Sequence, residues 1–349
     1  MKAAVCYGNG LVKIEEIQEP SVKENEVKVR IKTCGICGSD IPRALKTSAH
    51  YYPIVLGHEA AGEIAELGNN VQGLSVGEHV VILPLIPCSE CDDCKKGNYS
   101  LCKKYSFIGS RQQGAMAEYV VVPKTNVMKI SKNIPFEQAA LIEPATVSLH
   151  ALYQNDYKPD GTVAIIGDGT IGLFAMQWAN ILGAKKVVVL GRDKELLNLA
   201  QDLGADAVIN TSDEDFKKNA LEETENKGFD YIFEAVGAGV TIKYAFELAA
   251  NKAHICLIGT PTTDVSFSVK EWELINRKEF YLTGSWMSYS EDFPGQEWRF
   301  AEECLKDGRL KYDERLFYKK LQLEKAQEAF DLFKYENRAK VKGRVLLTV

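Results

Sequence analysis

The sequence predicts an α/β protein in two parts. A β-rich part spans residues 1–155, and a doubly wound parallel sheet spans 156–286; residues 287–349 return to the first part. Three observations carry this reading. Short period-two stretches, punctuated by Gly, Pro and Asn, fill the first part. From residue 160 onward, continuous apolar runs alternate with helix-patterned stretches, which is how βαβ units of a parallel sheet read. The alternation fades after Trp286, and too little sequence remains for a third core.

Taken in order, residues 27–32, 79–82 and 118–122 alternate apolar and polar, as half-buried strands of a small barrel or sandwich do. Residues 163–167 form an unbroken apolar run ending on a glycine, as expected of a strand buried on both faces. A helix is predicted over 171–182, a strand over 186–191 and a helix over 194–203. Strands at 207–209, 231–233 and 255–258 continue the series, and 344–349 reads as a closing strand.

Composition excludes several functions. The 349 residues carry 48 acidic against 42 basic side chains, a net charge of −6, with the cations scattered, so no electrostatic case exists for nucleic acid. No apolar run approaches the ~20 residues of a membrane span. The first residues lead straight into strand-like sequence without a signal-peptide core. Five of the nine cysteines cluster at Cys37 and between Cys88 and Cys102, which reads as metal chemistry in a reducing, cytoplasmic setting. Cys6, Cys34, Cys256 and Cys304 read as buried thiols.

Gly167-Asp168-Gly169-Thr170-Ile171-Gly172 is a G-x-G-x-x-G between a predicted strand and helix, the context that makes the pattern informative. Gly167 allows the tight turn, Gly169 lets a pyrophosphate approach, and Gly172 lets helix and strand pack closely. The helix opening at Thr170 and Ile171 faces the phosphate with unpaired N–H groups. An acid about 20 residues on would hold the ribose hydroxyls of NAD. Here the second strand ends in Gly191 and Arg192. The missing carboxylate and the guanidinium favour NADP(H), so an acid placed at 191 is expected to reverse the preference. NAD(H) stays open through Asp193 on the ribose.

Cys88, Cys91, Cys94 and Cys102 fall in one short segment with two x2 spacings, the pattern by which one loop wraps a structural zinc. An iron–sulfur cluster shares the short spacing but not the fourth. A further constellation is dispersed: Cys37-Gly38-Ser39-Asp40, Gly57-His58-Glu59 and Glu143-Pro144. One Cys, one His and one Glu would leave a fourth zinc position open for water or substrate.

With these motifs and Gly114 to Tyr119, the whole chain resembles the zinc-dependent medium-chain alcohol and polyol dehydrogenases. Residues 49–59, 108–111, 284–290 and 294–298 carry a closer likeness to members acting on sugar-alcohol phosphates. The resemblance implies a GroES-like catalytic domain, a Rossmann coenzyme domain and two zinc ions per chain. It implies Cys37, His58 and Glu143 as catalytic-zinc ligands, with Glu59 as an exchanging ligand. It implies Ser39 as the hydroxyl that passes the substrate proton, and Asp40 as the hydrogen-bond partner that fixes His58. The histidine that continues the proton relay in many relatives is Pro42 here. The family's usual coenzyme is NAD, against the residues at 191 and 192. The expected substrate is a small molecule, either a polyol phosphate or an unphosphorylated polyol. Arg43, Lys46, His50 and Arg111 are the cations that could meet a phosphate, and Tyr51, Tyr52, Trp286 and Tyr289 could line the site or fill core. A homo-oligomer, dimer or tetramer, joined through a late strand of the coenzyme domain is also implied.

Overall fold

The computed structural model describes residues 1–334 and 340–349. The chain forms two compact units. One comprises Met1–Glu143, Tyr289–Lys306 and Tyr312–Val349; the other comprises Pro144–Ser288 and Asp307–Lys311.

The first unit is built on a seven-stranded sheet. Its path runs Val127–Lys129, His79–Ile82, Glu59–Leu67, Glu26–Ile36, Arg344–Thr348 and Phe317–Gln322, and Tyr119–Pro123 pairs laterally with Glu26–Ile36. A smaller sheet joins Leu11–Glu16, Lys2–Gly8 and Ile54–Val55. Val27, Val29 and Ile31 are buried, which the period-two pattern foretells. Lys28 between them is buried too, and its ammonium is held by Glu19 at 2.9 Å and Glu66 at 2.6 Å. The final strand lies antiparallel to Glu26–Ile36, with Val345 opposite Ile36.

The second unit is a six-stranded parallel sheet in the order Ala207–Asn210, Lys186–Gly191, Thr162–Ile166, Phe229–Glu234, Ala249–Leu257 and Tyr281–Gly284. In chain order this is 3-2-1-4-5-6, the doubly wound arrangement whose ligands lie at the carboxyl ends of the strands. Val163 to Ile166 and Val187 to Leu190 are at most 1% exposed, as unbroken apolar runs require. The sequence reading named no strand at Tyr281–Gly284. This edge strand has a largely exposed pattern, so no burial periodicity marks it. No helix among the described residues is long and apolar enough to cross a membrane.

Candidate active site and coenzyme loop

Sheet order brings the dispersed constellation together. Glu26–Ile36 runs toward Cys37, whereas its neighbours Glu59–Leu67 and Arg344–Thr348 both begin at that end. Glu59 pairs with Gly35, so residues remote in sequence meet at one strand end. His58 follows Gly57, whose φ of +94° suits glycine and turns the chain into the strand. Donor atoms of Cys37, His58 and Glu59 lie within 4.8 Å of one another.

The grouping is acidic and largely dry. Asp40, His58 and Glu59 are buried, and Arg344 Nη2 stands 3.0 Å from Glu59 Oε1. Burial, then Glu59, pushes the Cys37 thiol well above its usual range, while Arg344 pulls it back. Burial pushes the Glu143 carboxyl up to about 7, against the pull of His58. His58 Nδ1 and Glu59 Oε2 are buried without a hydrogen-bond partner. Buried polar atoms are normally paired. Such a donor set, with one thiol, one imidazole and carboxylates, therefore fits a divalent cation.

Glu143, at the start of the Ile142–Gln154 helix, stands outside the trio but close enough that His58, Glu59 and Arg344 act on its charge. Asp40 departs from the expected contact. Its Oδ1 is 3.6 Å from His58 Nδ1, too long for a hydrogen bond, and Oδ2 instead accepts from Cys37 N at 3.2 Å. Ser39 is exposed at the cap of the Asp40–Leu45 helix, and its Oγ accepts from Arg43 Nη1 at 3.1 Å.

The other expected side chains divide. Tyr52 donates its hydroxyl to Arg43 O at 2.6 Å, tying down the end of that helix. Tyr289 is core: it is 2% exposed and accepts from Leu85 N at 3.1 Å through its hydroxyl. Tyr51 and Trp286 are exposed. Arg111 lies over the Tyr105 ring at 4.4 Å, and Lys46 and His50 face solvent.

The donor sulfurs of Cys88, Cys91, Cys94 and Cys102 converge within 4.8 Å. Cys91 and Cys94 are 3.5 Å apart, and Cys88 and Cys94 3.9 Å. These separations exceed any disulfide and approach the ~3.8 Å between thiolates on one tetrahedral zinc. The backbone N–H of Cys94 draws the Cys91 thiol down to about 6, whereas burial pushes Cys94 up to about 12. Cys6, Cys34, Cys256 and Cys304 are buried and lie outside any disulfide.

In the second unit, Gly167 has φ +124°, a turn that disfavours any side chain. A Cβ on Gly172 would fall 1.9 Å from Gly167 O, so helix and strand touch there, while one on Gly169 would meet nothing within 4 Å. The helix Thr170–Ile181 starts directly behind this open space. Gly191 and Arg192 stand at the end of the adjacent strand, with Gly191 buried and Arg192 exposed. Asp193 caps the following helix, its Oδ1 accepting from Glu195 N at 2.9 Å and Leu196 N at 3.2 Å, so its carboxylate already holds main chain.

Two residues escaped the sequence reading. Arg344 had no local signal, because only the topology places it beside Glu59. Asp168 had one: an acid inside the loop, beside a strand whose usual acid is missing.

Comparison with known proteins gives a consistent picture. Residues 23–132 match the alcohol dehydrogenase GroES-like domain family, and residues 170–303 the zinc-binding dehydrogenase family. The chain is 42% identical to galactitol 1-phosphate 5-dehydrogenase of Escherichia coli strain K12 over 311 residues, 89% of this chain and 90% of that protein. The crystal structure of galactitol-1-phosphate dehydrogenase from Escherichia coli superposes with a TM-score of 0.94 at 40% identity, covering 100% of both chains. A zinc-binding dehydrogenase from Sinorhizobium meliloti 1021 bound to NADP superposes with a TM-score of 0.90 at 26% identity, covering 100% of this chain and 99% of that one.

Proposed function

The chain belongs to the zinc-dependent medium-chain alcohol dehydrogenases, and from that membership we propose that it oxidises galactitol 1-phosphate to the 2-ketose D-tagatose 6-phosphate with NADP(H). The observation that carries the substrate is the 42% identity to an enzyme of that name across 89% of the chain.

Cys37 and His58 would hold the catalytic zinc, with Glu59 and Glu143 as the carboxylates able to fill its third protein position. Zinc bound there would supply Lewis acidity toward the substrate oxygen, and a bound nicotinamide would supply the hydride acceptor. Ser39 Oγ takes the proton of the substrate hydroxyl. Arg43 donates to that same oxygen, so the hydroxyl hydrogen of Ser39 is directed away from the guanidinium. Arg43 stays charged and cannot carry the proton onward, and Glu59 is buried against Arg344. The proton therefore leaves Ser39 through water. The second zinc would be held by the four-cysteine lobe, which it fastens without an open position.

Arg192 carries the NADP(H) preference: it is exposed, and among the described residues its guanidinium has no ion pair. A free polyol is the competing substrate, favoured because Arg43 and Arg111 already have intramolecular partners. Side-by-side turnover of galactitol 1-phosphate and galactitol separates the two. The proposal expects kcat/KM at least about tenfold higher for the phosphate, the effect of one charge-assisted contact. Equal or faster turnover of galactitol would transfer the assignment to the free polyol.

The reading includes a cytoplasmic location, resting on nine cysteines that form no disulfide with one another. It also includes a homo-oligomer through Tyr281–Gly284. That strand ends the sheet, and Tyr281 and Leu282 are 55% and 41% exposed on it. An edge of this kind offers unpaired main chain and apolar surface to a second copy.

A further inference from the structure

The second residue of the glycine-rich loop has no role in the account so far, yet it is tied to the coenzyme-selecting turn. Asp168 Oδ2 accepts from Arg192 N and from Asp193 N, each at 2.7 Å. On the other side of the turn, Gly191 O accepts from Thr211 N at 2.7 Å and from Thr211 Oγ1 at 3.1 Å. The main-chain polar groups from Gly191 O to Asp193 N that face these neighbours are thus held from two directions.

Asp168 also fills the space in which a strand-end acid would stand. A Cβ on Gly191 would lie 2.3 Å from Asp168 Oδ2 and 2.5 Å from its Cβ and Cγ. No side chain fits at 191 while Asp168 keeps this position, and a second carboxylate would meet like charge as well. Asp168 and Asp193, on either side of Arg192, both accept from main-chain N–H groups, Asp168 from the turn and Asp193 from its helix cap.

We propose that Asp168 is a specificity-determining positioning residue: from the glycine-rich loop it holds the Gly191–Asp193 turn, excludes an acid at 191 and keeps Arg192 free for the 2′-phosphate of NADP(H). The proposal rests on the NADP(H) reading of Arg192. Its carboxylate is compensated by two short N–H bonds, so it acts through the turn and not as the acid that grips ribose. It corrects the expectation that Gly191→Asp alone reverses the preference, because Asp168 occupies the place the new side chain needs.

The test titrates NADPH and NADH against the zinc-loaded protein by tryptophan quenching, with hydrogen–deuterium exchange of the coenzyme-free turn alongside. Asp168→Ala should weaken NADPH about tenfold, NADH by less than about threefold, and speed exchange at Arg192 and Asp193. Asp168→Asn keeps an acceptor oxygen and should stay within about threefold of wild type with the turn protected. Gly191→Asp alone should weaken both coenzymes, and only when combined with Asp168→Ala should it gain NADH. Unchanged exchange in Asp168→Ala overturns the proposal. So does tighter NADPH binding in that variant, which would make Asp168 the acid that repels a 2′-phosphate. If wild type prefers NADH and Arg192→Ala changes nothing, the NADP(H) reading fails instead, and the exchange data still decide whether Asp168 holds the turn.

Discussion

In the proposed mechanism, Ser39 Oγ is the single atom that moves the substrate proton. It is exposed, it caps the Asp40–Leu45 helix, and it accepts from Arg43 at 3.1 Å. Replacing it by alanine removes the oxygen that Arg43 Nη1 donates to, but that guanidinium keeps Asp40 Oδ1 at 3.4 Å, so folding and coenzyme affinity should be little changed. Turnover should fall by roughly 10²–10⁴, the usual contribution of a positioned acid–base group, and most steeply at low pH, where water takes up a proton least readily. A Ser39→Ala enzyme with wild-type kcat across the pH range would remove Ser39 from the mechanism. At this scale the sequence was legible where chemistry needs a rare residue type. The four lobe cysteines could be named from their spacing, whereas Cys37 and His58, 21 residues apart, could be grouped only through the family resemblance, since a lone Cys or His more often fills core. Asp40 shows the limit: its motif identifies it, but its contacts go to Cys37 N and Arg43, at 3.2 and 3.4 Å.

Among the elements, most buried parallel strands were legible to within a residue or two, since burial on both faces leaves an unbroken apolar run; Ala249–Leu257 begins six residues before the expected 255–258, because exposed Asn251 and Lys252 interrupt its run. The strand expected over 186–191 is Lys186–Gly191, and the helix expected over 194–203 is Lys194–Leu203. The edge strand Tyr281–Gly284 was not, because only a partner would give it a burial pattern. If that partner is a second copy, Leu282→Arg places a charge in the joint without touching the sheet's interior. Sedimentation should then show a smaller species than wild type at the same concentration, with the melting temperature of the coenzyme-binding unit little changed. An unshifted distribution, or a wild type that is already monomeric, would mean that the strand's exposed face is solvent surface.

For the whole molecule, what the sequence left unreadable is what topology supplies. Arg344 meets Glu59 because the last strand is laid beside Glu26–Ile36, and no local pattern in the tail announces it. The pairing of Glu26–Ile36 with Glu59–Leu67 gathers Cys37, His58 and Glu59 at one strand end, while the four-cysteine lobe forms from one short segment. These are two separate groups of candidate ligands, four thiols in one and a thiol, an imidazole and a carboxylate in the other. Metal content therefore tests the account most directly. Protein purified without chelator should contain two zinc ions per chain by elemental analysis. Cys37→Ser should retain one zinc and a folded chain but lose activity, whereas Cys94→Ser should lose the lobe's zinc and melt at a lower temperature. A wild type that binds no zinc and still oxidises its polyol, or a Cys37→Ser variant that keeps both ions and full turnover, would contradict the account at its centre.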